Sequence, residues 1–149
     1  MEDQISEERA AFLSEDYRRG FIKYCDFKAE LIKRGRFHSR VDIKEHHRQQ
    51  DGFIHAGVMA TMADHTAGYS AFTIVSPDYQ ILTIEFKINF LRPAHGDELI
   101  CRAKVIREGK QIIISESEVF DVVEDTETQA AKAMVTLMAV HKDRLSSKG

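Results

Sequence analysis

The most constraining feature of this 149-residue sequence is the apolar segment over residues 56–73. It is rich in Ala and Met, contains no Pro, and carries Asp64 as its single charged residue. A segment of this length and composition predicts a helix that is apolar nearly all round, and such a helix must be buried. A carboxylate in a buried helix needs a partner, a cavity or a function, so the same segment indicates where the chemistry lies.

Strand patterns follow this helix. Residues 81–91 alternate strictly, and the alternation places Thr83, Glu85, Lys87 and Asn89 on the face opposite Leu82, Ile84, Phe86, Ile88 and Phe90. Three further strands are predicted at about 98–107, 111–123 and 130–141. The chain thus ends in four consecutive antiparallel strands.

The residues before the buried helix predict a surface helix and a hairpin. An apolar stripe with helical spacing runs through residues 2–19. Two short strands, at about 24–32 and 36–44, are joined by a turn in which Gly35 supplies a positive φ. Residues 45–55 are predicted to be a loop, and residues 142–149 a polar, frayed tail.

This order of elements predicts an α+β fold in which one antiparallel sheet wraps around the long helix of residues 56–73. The length fits one domain over residues 1–149, with its core at about 24–141. A sheet wrapped on a helix leaves open strand edges, and pairing two sheets edge to edge protects them. We therefore expect a homodimer, or a dimer of dimers.

Composition excludes several classes of protein. The formal charge is −3 and the basic residues are scattered, so a nucleic-acid partner is not expected. Cys25 and Cys101 have no Cys-x-x-Cys partner, which predicts reduced, buried thiols rather than a disulfide framework or a zinc site. The N-terminal residues are acidic without an apolar segment, and residues 54–75 are too polar for a membrane span. We expect a cytoplasmic protein.

Asp64 is the strongest candidate for catalysis. Its helical neighbours three and four residues away are Ala60, Thr61, Ala67 and Gly68, and none is a cation. One interpretation is that Asp64 accepts hydrogen bonds from a Thr, a Ser or a backbone group of a neighbouring strand. The other is a carboxylate held in an apolar cleft as general base or nucleophile.

The entrance of the helix supplies further candidates. The first N–H groups of a helix lack intrahelical acceptors, so the N–H of Gly57 can hold a developing oxyanion. His55 either polarises a carbonyl or fixes the turn, and Gln49 either binds water or a substrate carbonyl or is a solvated loop residue. Gly57 and Asp64 are two helical turns apart, roughly 10 Å, which is too far to serve one carbonyl. Two antiparallel helices from two copies would instead bring Gly57 of one to Asp64 of the other.

These residues resemble a known family. Gln49, His55-Ala56-Gly57 and Asp64, followed by the strand from Leu82 and by Leu91-Arg-Pro-Ala, are similar to the hotdog-fold acyl-CoA thioesterases of the PaaI (phenylacetate-degradation) type. The resemblance covers about residues 24–140 and implies a hotdog domain. It further implies hydrolysis of an acyl-CoA substrate at a dimer interface.

The resemblance also implies roles by position. Asp64 is then the catalytic carboxylate, Gly57 the oxyanion donor, and Thr83 a hydroxyl that helps to hold the water. Gln49 stands where the family more often has Asn, and Ala56 replaces the first Gly of the usual His-Gly-Gly. By the strand alternation, however, Thr83 lies on the face opposite Phe86.

Other kinds of site have weaker support. His46, His47, His55 and His65 show no His-x3-His pair, so neither a metal nor another cofactor is expected. The Gly-x-Ser-x-Gly motif of serine hydrolases and a Gly-rich phosphate loop are both missing from the sequence. The strand-end residues that could meet the phosphates of CoA are Arg92, Arg107 and Lys110. Two alternative functions stay open: a noncatalytic acyl-CoA binding module, and a hotdog hydratase or dehydratase.

Overall fold

The computed structural model describes residues 4–146. The elements follow one another as α1 (Glu7–Tyr17), α2 (Phe21–Cys25), β1 (Lys28–Lys33), β2 (Arg36–Asp42), a 3₁₀ turn (Glu45–His47), α3 (Ala56–Phe72), β3 (Tyr79–Phe90), β4 (Glu98–Glu108), β5 (Ile112–Val123), β6 (Thr126–His141) and α4 (Lys142–Ser146). The six strands form one antiparallel sheet in the order β1-β2-β4-β5-β6-β3. The predicted α+β architecture is confirmed.

Helix α3 packs on one face of this sheet against β2 to β6. The packing surfaces are built largely from small residues: Ala63 and Ala67 on the helix, and Ala131, Ala133 and Ala139 on β6, all buried. Small side chains let the helix axis approach the strands closely, so the curved sheet can surround it.

Buried hydroxyl groups bind the helix to the sheet and to α1. Ser117 donates to the carbonyl of Ala63 at 2.7 Å, and Ser39 is 2.8 Å from Thr66. The hydroxyl of Thr66 also lies 2.9 Å from that of Tyr17 at the end of α1. Each of these polar groups is therefore satisfied inside the core, as burial requires.

The ends of the chain differ in part from the sequence prediction. The N-terminal helix runs from Glu7 to Tyr17, and residues 2 and 3 of its predicted range lie outside the described residues. The prediction of strand at Tyr24 and Cys25 is wrong, because they belong to α2. The predicted frayed tail forms α4 over its first residues, and residues 147–149 lie outside the described part. Gly35 makes the hairpin turn with φ +78°, as expected.

A β-bulge in β3 corrects the predicted strand faces. Thr83 pairs with Leu137 and Glu85 with Thr136, so one extra residue, Ile84, is inserted between them. Strict alternation cannot continue through an inserted residue. Because Leu137 and the partner of Phe86, Val135, are both buried on β6, Thr83 and Phe86 both lie on the face towards α3. The prediction that Thr83 lies opposite Phe86 is wrong.

Strand β3 forms one edge of the sheet. It pairs with β6 alone, so within residues 4–146 its other edge has no partner strand. Its exposed large apolar side chains are Tyr79, Leu82, Ile84, Phe86 and Phe90. A long apolar edge strand is a template for pairing with another chain.

Candidate active site

Asp64 lies on the side of α3 that is turned away from the buried hydroxyl groups. Its carboxylate accepts a 2.8 Å hydrogen bond from the hydroxyl of Thr83 on β3. Asp64 borders an open cleft in which Phe86, Ile22 and Ala60 are also lining residues and whose volume is about 420 Å³. We name this space the Asp64 cleft. It combines a carboxylate with apolar walls.

The bond from Thr83 also agrees with a purely structural role for Asp64, in which a Thr on a neighbouring strand is its hydrogen-bond partner. One hydroxyl, however, occupies a small part of what a carboxylate can accept, about four lone-pair sites. Asp64 is only partly buried and lines the cleft. A group that enters the cleft can therefore reach Asp64.

His65, the next residue, is held against α1. Its Nε2 donates to the carbonyl of Tyr17 at 2.9 Å, and its ring packs 4.5 Å from the Tyr17 ring. Burial lowers the pKa of His65, while the Tyr17 carbonyl and nearby Asp64 oppose that shift. We therefore assign His65 to the attachment of α1 rather than to proton transfer.

The entrance of α3 is organised by His55. As the residue that caps the helix, His55 accepts a 2.8 Å hydrogen bond at Nδ1 from the N–H of Gly57. A Cβ at position 57 would lie 2.9 Å from this Nδ1, so glycine makes room for the imidazole. The N–H group predicted as oxyanion donor thus already has an acceptor in this structure.

This bond fixes which ring nitrogen carries the proton when His55 is neutral. Since Nδ1 accepts, neutral His55 carries its proton on Nε2. The side chain is exposed and lines a second cleft of about 620 Å³. The entrance of α3 therefore offers an imidazole N–H as a donor beside the backbone N–H of Gly57.

Gln49 organises the loop before α3. Its side-chain oxygen accepts from the N–H groups of Asp51 and Phe53, the latter at 3.3 Å. The loop closes with Gly52 at φ +90°. Gln49 lines the same cleft as His55, so we name that space the entrance cleft. The side-chain oxygen of Gln49 accepts hydrogen bonds within the loop, so its amide N–H groups are the ones that can bind a ligand.

The two clefts share no lining residue. The entrance cleft holds Gln49, His55 and Arg92, whereas the Asp64 cleft holds Asp64 and Thr61. The structure therefore brings Thr83 to Asp64, and Gln49 to His55 and Gly57, but it does not join the two groups within one chain.

The three predicted CoA contacts are separated as well. Arg92 lines the entrance cleft, next to Phe90 and Pro93. Arg107 and Lys110 lie at the turn between β4 and β5, and neither lines either cleft. That turn is at the other end of the sheet, since Val105, two residues before Arg107, bonds Gly35, and Gly35 in turn bonds Thr73 just after α3.

Asp121 is a positioning residue that the sequence analysis does not include among its candidates. Asp121 on β5 is buried and accepts hydrogen bonds from the N–H groups of His95 and Gly96, at 3.0 and 2.8 Å. It fixes the loop that follows Arg92 and Pro93. An acidic residue at an inward position of a strand could have indicated such a role, because a buried carboxylate needs donors.

A cluster of Asp26, His46 and His47 has ligand atoms close enough to surround a metal ion. His47, however, uses both ring nitrogens: Nδ1 accepts from the N–H of Lys44 and Nε2 donates to the carbonyl of Cys25. The ammonium group of Lys44 also lies 3.5 Å from Asp26. These contacts make His47 a structural residue.

Neither cysteine has the lowered pKa of a reactive thiol. Cys101 is buried, and burial raises the pKa of its thiol to about 12. Cys25 is half-buried, and burial raises its pKa as well. Both are free cysteines, but the prediction that both thiols are buried holds for Cys101 and is wrong for Cys25.

Comparison with known proteins adds independent evidence. A family model described as "Thioesterase superfamily" matches residues 51–127, which include α3, β3 and β4. The chain belongs to the thioesterase superfamily. Among its relatives is a Saccharolobus solfataricus protein that carries the name "Putative esterase", 31% identical over 81% of this chain and 84% of that protein.

A second relative and a solved structure are also similar to this chain. A 1,4-dihydroxy-2-naphthoyl-CoA hydrolase from Listeria monocytogenes is 25% identical over 60% of this chain and 73% of that one. The crystal structure of a thioesterase family protein from Silicibacter pomeroyi matches with a TM-score of 0.85 and 28% identity, over 89% of this chain and 98% of that chain. The hotdog fold is thereby confirmed. Within residues 4–146 no helix is long and apolar enough to cross a membrane.

Proposed function

We propose that this thioesterase hydrolyses an acyl-CoA to a carboxylic acid and free CoA, at a site shared by two copies of the chain. The observation that carries the proposal is the position of Asp64. Its carboxylate is oriented by Thr83 and opens into an apolar cleft. No cation of α3 neutralises it, because its only ionisable neighbour within four residues on that helix is His65.

The separation of the two clefts supports a shared site. Asp64 and Gly57 lie roughly 10 Å apart along one helix, so a single chain cannot apply both to one carbonyl. Pairing of β3 with β3 of a second copy would give hydrogen-bond partners to the unpaired backbone groups of this edge and would cover its apolar side chains. It would also place the two α3 helices antiparallel. Gly57 and His55 of the partner would then face Asp64, and symmetry would create two equivalent sites.

In this arrangement the thioester carbonyl lies between the two chains. Asp64 either takes a proton from an attacking water or attacks the carbonyl carbon itself. The carbonyl oxygen becomes an oxyanion that accepts from Nε2–H of His55 in the partner. The N–H of Gly57 donates as well if it shares its hydrogen between the oxyanion and Nδ1 of His55. Collapse of the intermediate breaks the carbon–sulfur bond and releases the CoA thiolate. If Asp64 acts as base, the proton that it took from water returns to the thiolate and the acid is formed directly. If Asp64 attacks, an acyl–Asp64 anhydride remains, and a water then hydrolyses it to the carboxylic acid and supplies the proton for the thiolate.

The entrance cleft has a largely apolar lining, but its few polar groups suit the CoA part of the substrate. Arg92 offers a guanidinium group to the phosphates, and Gln49 offers amide N–H groups to the pantetheine arm. We assign Arg92 to CoA. Arg107 and Lys110 could reach CoA only if the partner subunit brought their turn to the site.

A panel of acyl-CoA substrates, followed by release of the free thiol, tests this function. Thiol release that is linear in enzyme concentration is the expected result for at least one acyl group. Tight binding of acyl-CoA without thiol release would replace the proposal with a binding module. Hydration of an enoyl-CoA without thiol release would replace it with a hydratase.

A further inference from the structure

Helix α2 adds a wall to the Asp64 cleft that lies outside the segment matched by the family model. α2 covers Phe21–Cys25, whereas the model matches residues 51–127. Ile22 is buried beneath the helix, but Phe21 keeps 66% of its surface exposed. Both side chains line the Asp64 cleft. Packing within one chain therefore explains why position 22 is apolar, but it does not explain the exposed aromatic side chain of Phe21.

The position of α2 is fixed at both ends by histidines. Before it, the Nε2 of His65 donates to the carbonyl of Tyr17 at 2.9 Å. At its last residue, the Nε2 of His47 donates to the carbonyl of Cys25 at 2.7 Å. Gly20 makes the turn into α2 with φ +61°. Phe21 is thus presented to the cleft by a short helix whose backbone is anchored on either side.

The lining of the Asp64 cleft suits the acyl part of a thioester. Phe21 and Ile22 come from α2, Phe86 comes from β3, and Ala60 comes from α3. The one cation of the lining, Arg19, lies 3.4 Å from Asp16. The guanidinium and amide groups suited to CoA belong to the other cleft, so the two halves of the substrate would extend in opposite directions from the carbonyl.

We propose that Phe21 closes the acyl end of the Asp64 cleft and determines the length of acyl group that the thioesterase accepts. This inference rests on the proposed function. The cleft, at about 420 Å³, is near the lower end of the range for ligand pockets. Short apolar acyl groups, such as butyryl to octanoyl, fit beside Phe21, whereas a dodecanoyl chain must pass the position of its ring.

The test compares kcat/KM for butyryl-, octanoyl- and dodecanoyl-CoA in the wild type, Phe21→Ala and Tyr24→Ala. Tyr24 is the matched control, because it is an exposed aromatic residue of the same helix that does not line the cleft. Phe21→Ala should raise the dodecanoyl to butyryl ratio at least about tenfold, the gain from burying about two more methylene groups. Tyr24→Ala should leave the ratio within about twofold.

A second variant tests the opposite direction. Phe21→Trp enlarges the side chain, so it should lower the octanoyl to butyryl ratio. Equal loss on all three substrates in Phe21→Ala, or the same ratios as in Tyr24→Ala, would overturn the role of Phe21 while leaving the thioesterase function intact.

Binding separates failure of this inference from failure of the proposed function. If no variant releases thiol, the function falls, and calorimetry with the nonhydrolysable dodecyl thioether of CoA then decides the role of Phe21. Tighter binding to Phe21→Ala than to the wild type and Tyr24→Ala supports the acyl site. Equal binding to all three proteins overturns it.

Discussion

The hydroxyl of Thr83 donates a 2.8 Å hydrogen bond to Asp64, and this bond joins the central helix to the open edge of the sheet. It depends on the β-bulge at Ile84, which turns Thr83 towards the helix. A side chain held by packing and by a hydrogen bond is preorganised for its task. The same bond ties the geometry of Asp64 to the strand through which we expect two copies to pair.

Asp64→Asn should lower kcat for thiol release by at least about a hundredfold with little change in binding of a thioether analogue. The amide keeps the shape of the side chain but cannot act as base or nucleophile. Activity within about tenfold of the wild type would contradict the catalytic assignment. Loss of folding, measured by circular dichroism, would instead support a structural role for Asp64.

Thr83→Val should lower kcat by about threefold to tenfold, because it removes the donor that orients Asp64 but keeps the branched shape. In the Asp64→Asn background the same change should have little further effect, since residues that act together are not additive. Kinetics of the two single variants and the double variant measure this coupling. Equal fractional losses in both backgrounds would show that Thr83 acts independently of Asp64.

The large elements of the fold follow from patterns that the sequence carries openly. The apolar segment of residues 56–73 predicts α3 to within one residue, and alternation locates β3 and its neighbours. These patterns report burial on one element at a time. They do not reveal the bulge at Ile84, because an inserted residue leaves the apolar pattern of 82–90 unchanged.

The site could be predicted less completely than the fold. Asp64 is conspicuous because it is charged among apolar residues, and Gly57 because of its place at the helix entrance. The bond between Gly57 and His55 depends on a rotamer that spacing cannot specify. Phe21 and Asp121 owe their positions to contacts between segments that are distant in the sequence. Such contacts leave no periodic pattern in a single sequence.

Stability should fall in acid in part because of His65. Burial holds its pKa in the folded state below the ordinary value of 6.5, so the unfolded chain binds more protons as pH falls. This contribution to stability is therefore present above about pH 6.5 and is lost as pH falls from there towards the lowered pKa. His65→Gln should show a smaller loss in the free energy of unfolding between about pH 7.5 and about pH 5.

Denaturant titrations at the two pH values measure this difference. His95→Gln is the matched control, because His95 is exposed. The change that it causes is the reference for removing an exposed histidine. A loss in His65→Gln as large as that of the wild type would assign the acid sensitivity to other groups.

The axis of the proposed dimer can be located from residue spacing. Facing Gly57 to Asp64 of the partner puts the two-fold axis midway between them, about 5 Å along α3 from Asp64. The same distance along β3 is about one and a half ladder positions beyond Thr83, which falls between Glu85 and Phe86 because the bulge adds Ile84 without adding a position. Glu85→Cys should therefore form a disulfide between two copies on mild oxidation, seen by nonreducing electrophoresis.

Gln80→Cys is the control on the same strand, since its two copies would lie about 30 Å apart. It should remain monomeric in the nonreducing gel. Efficient crosslinking of Gln80→Cys together with none of Glu85→Cys would show that the copies pair in another register, or not through β3.

Complementation tests whether each site draws on two chains. Asp64→Asn and Gly57→Pro, which removes the N–H donor, should each be inactive alone. A mixed dimer would contain one intact site, built from Gly57 of the first chain and Asp64 of the second, while its other site would carry both defects. Random mixing makes about half of the dimers mixed, so refolding the two variants together should restore about a quarter of the wild-type activity.

The interpretation requires that both variants fold and associate, because Pro at position 57 also removes the cap interaction with His55. Circular dichroism of each variant and native mass spectrometry of the mixture establish these points. If mixed dimers form at the expected share and release no thiol, Gly57 and Asp64 do not act across the interface. The two clefts of one chain would then have to serve separate tasks, and the shared-site model would be abandoned.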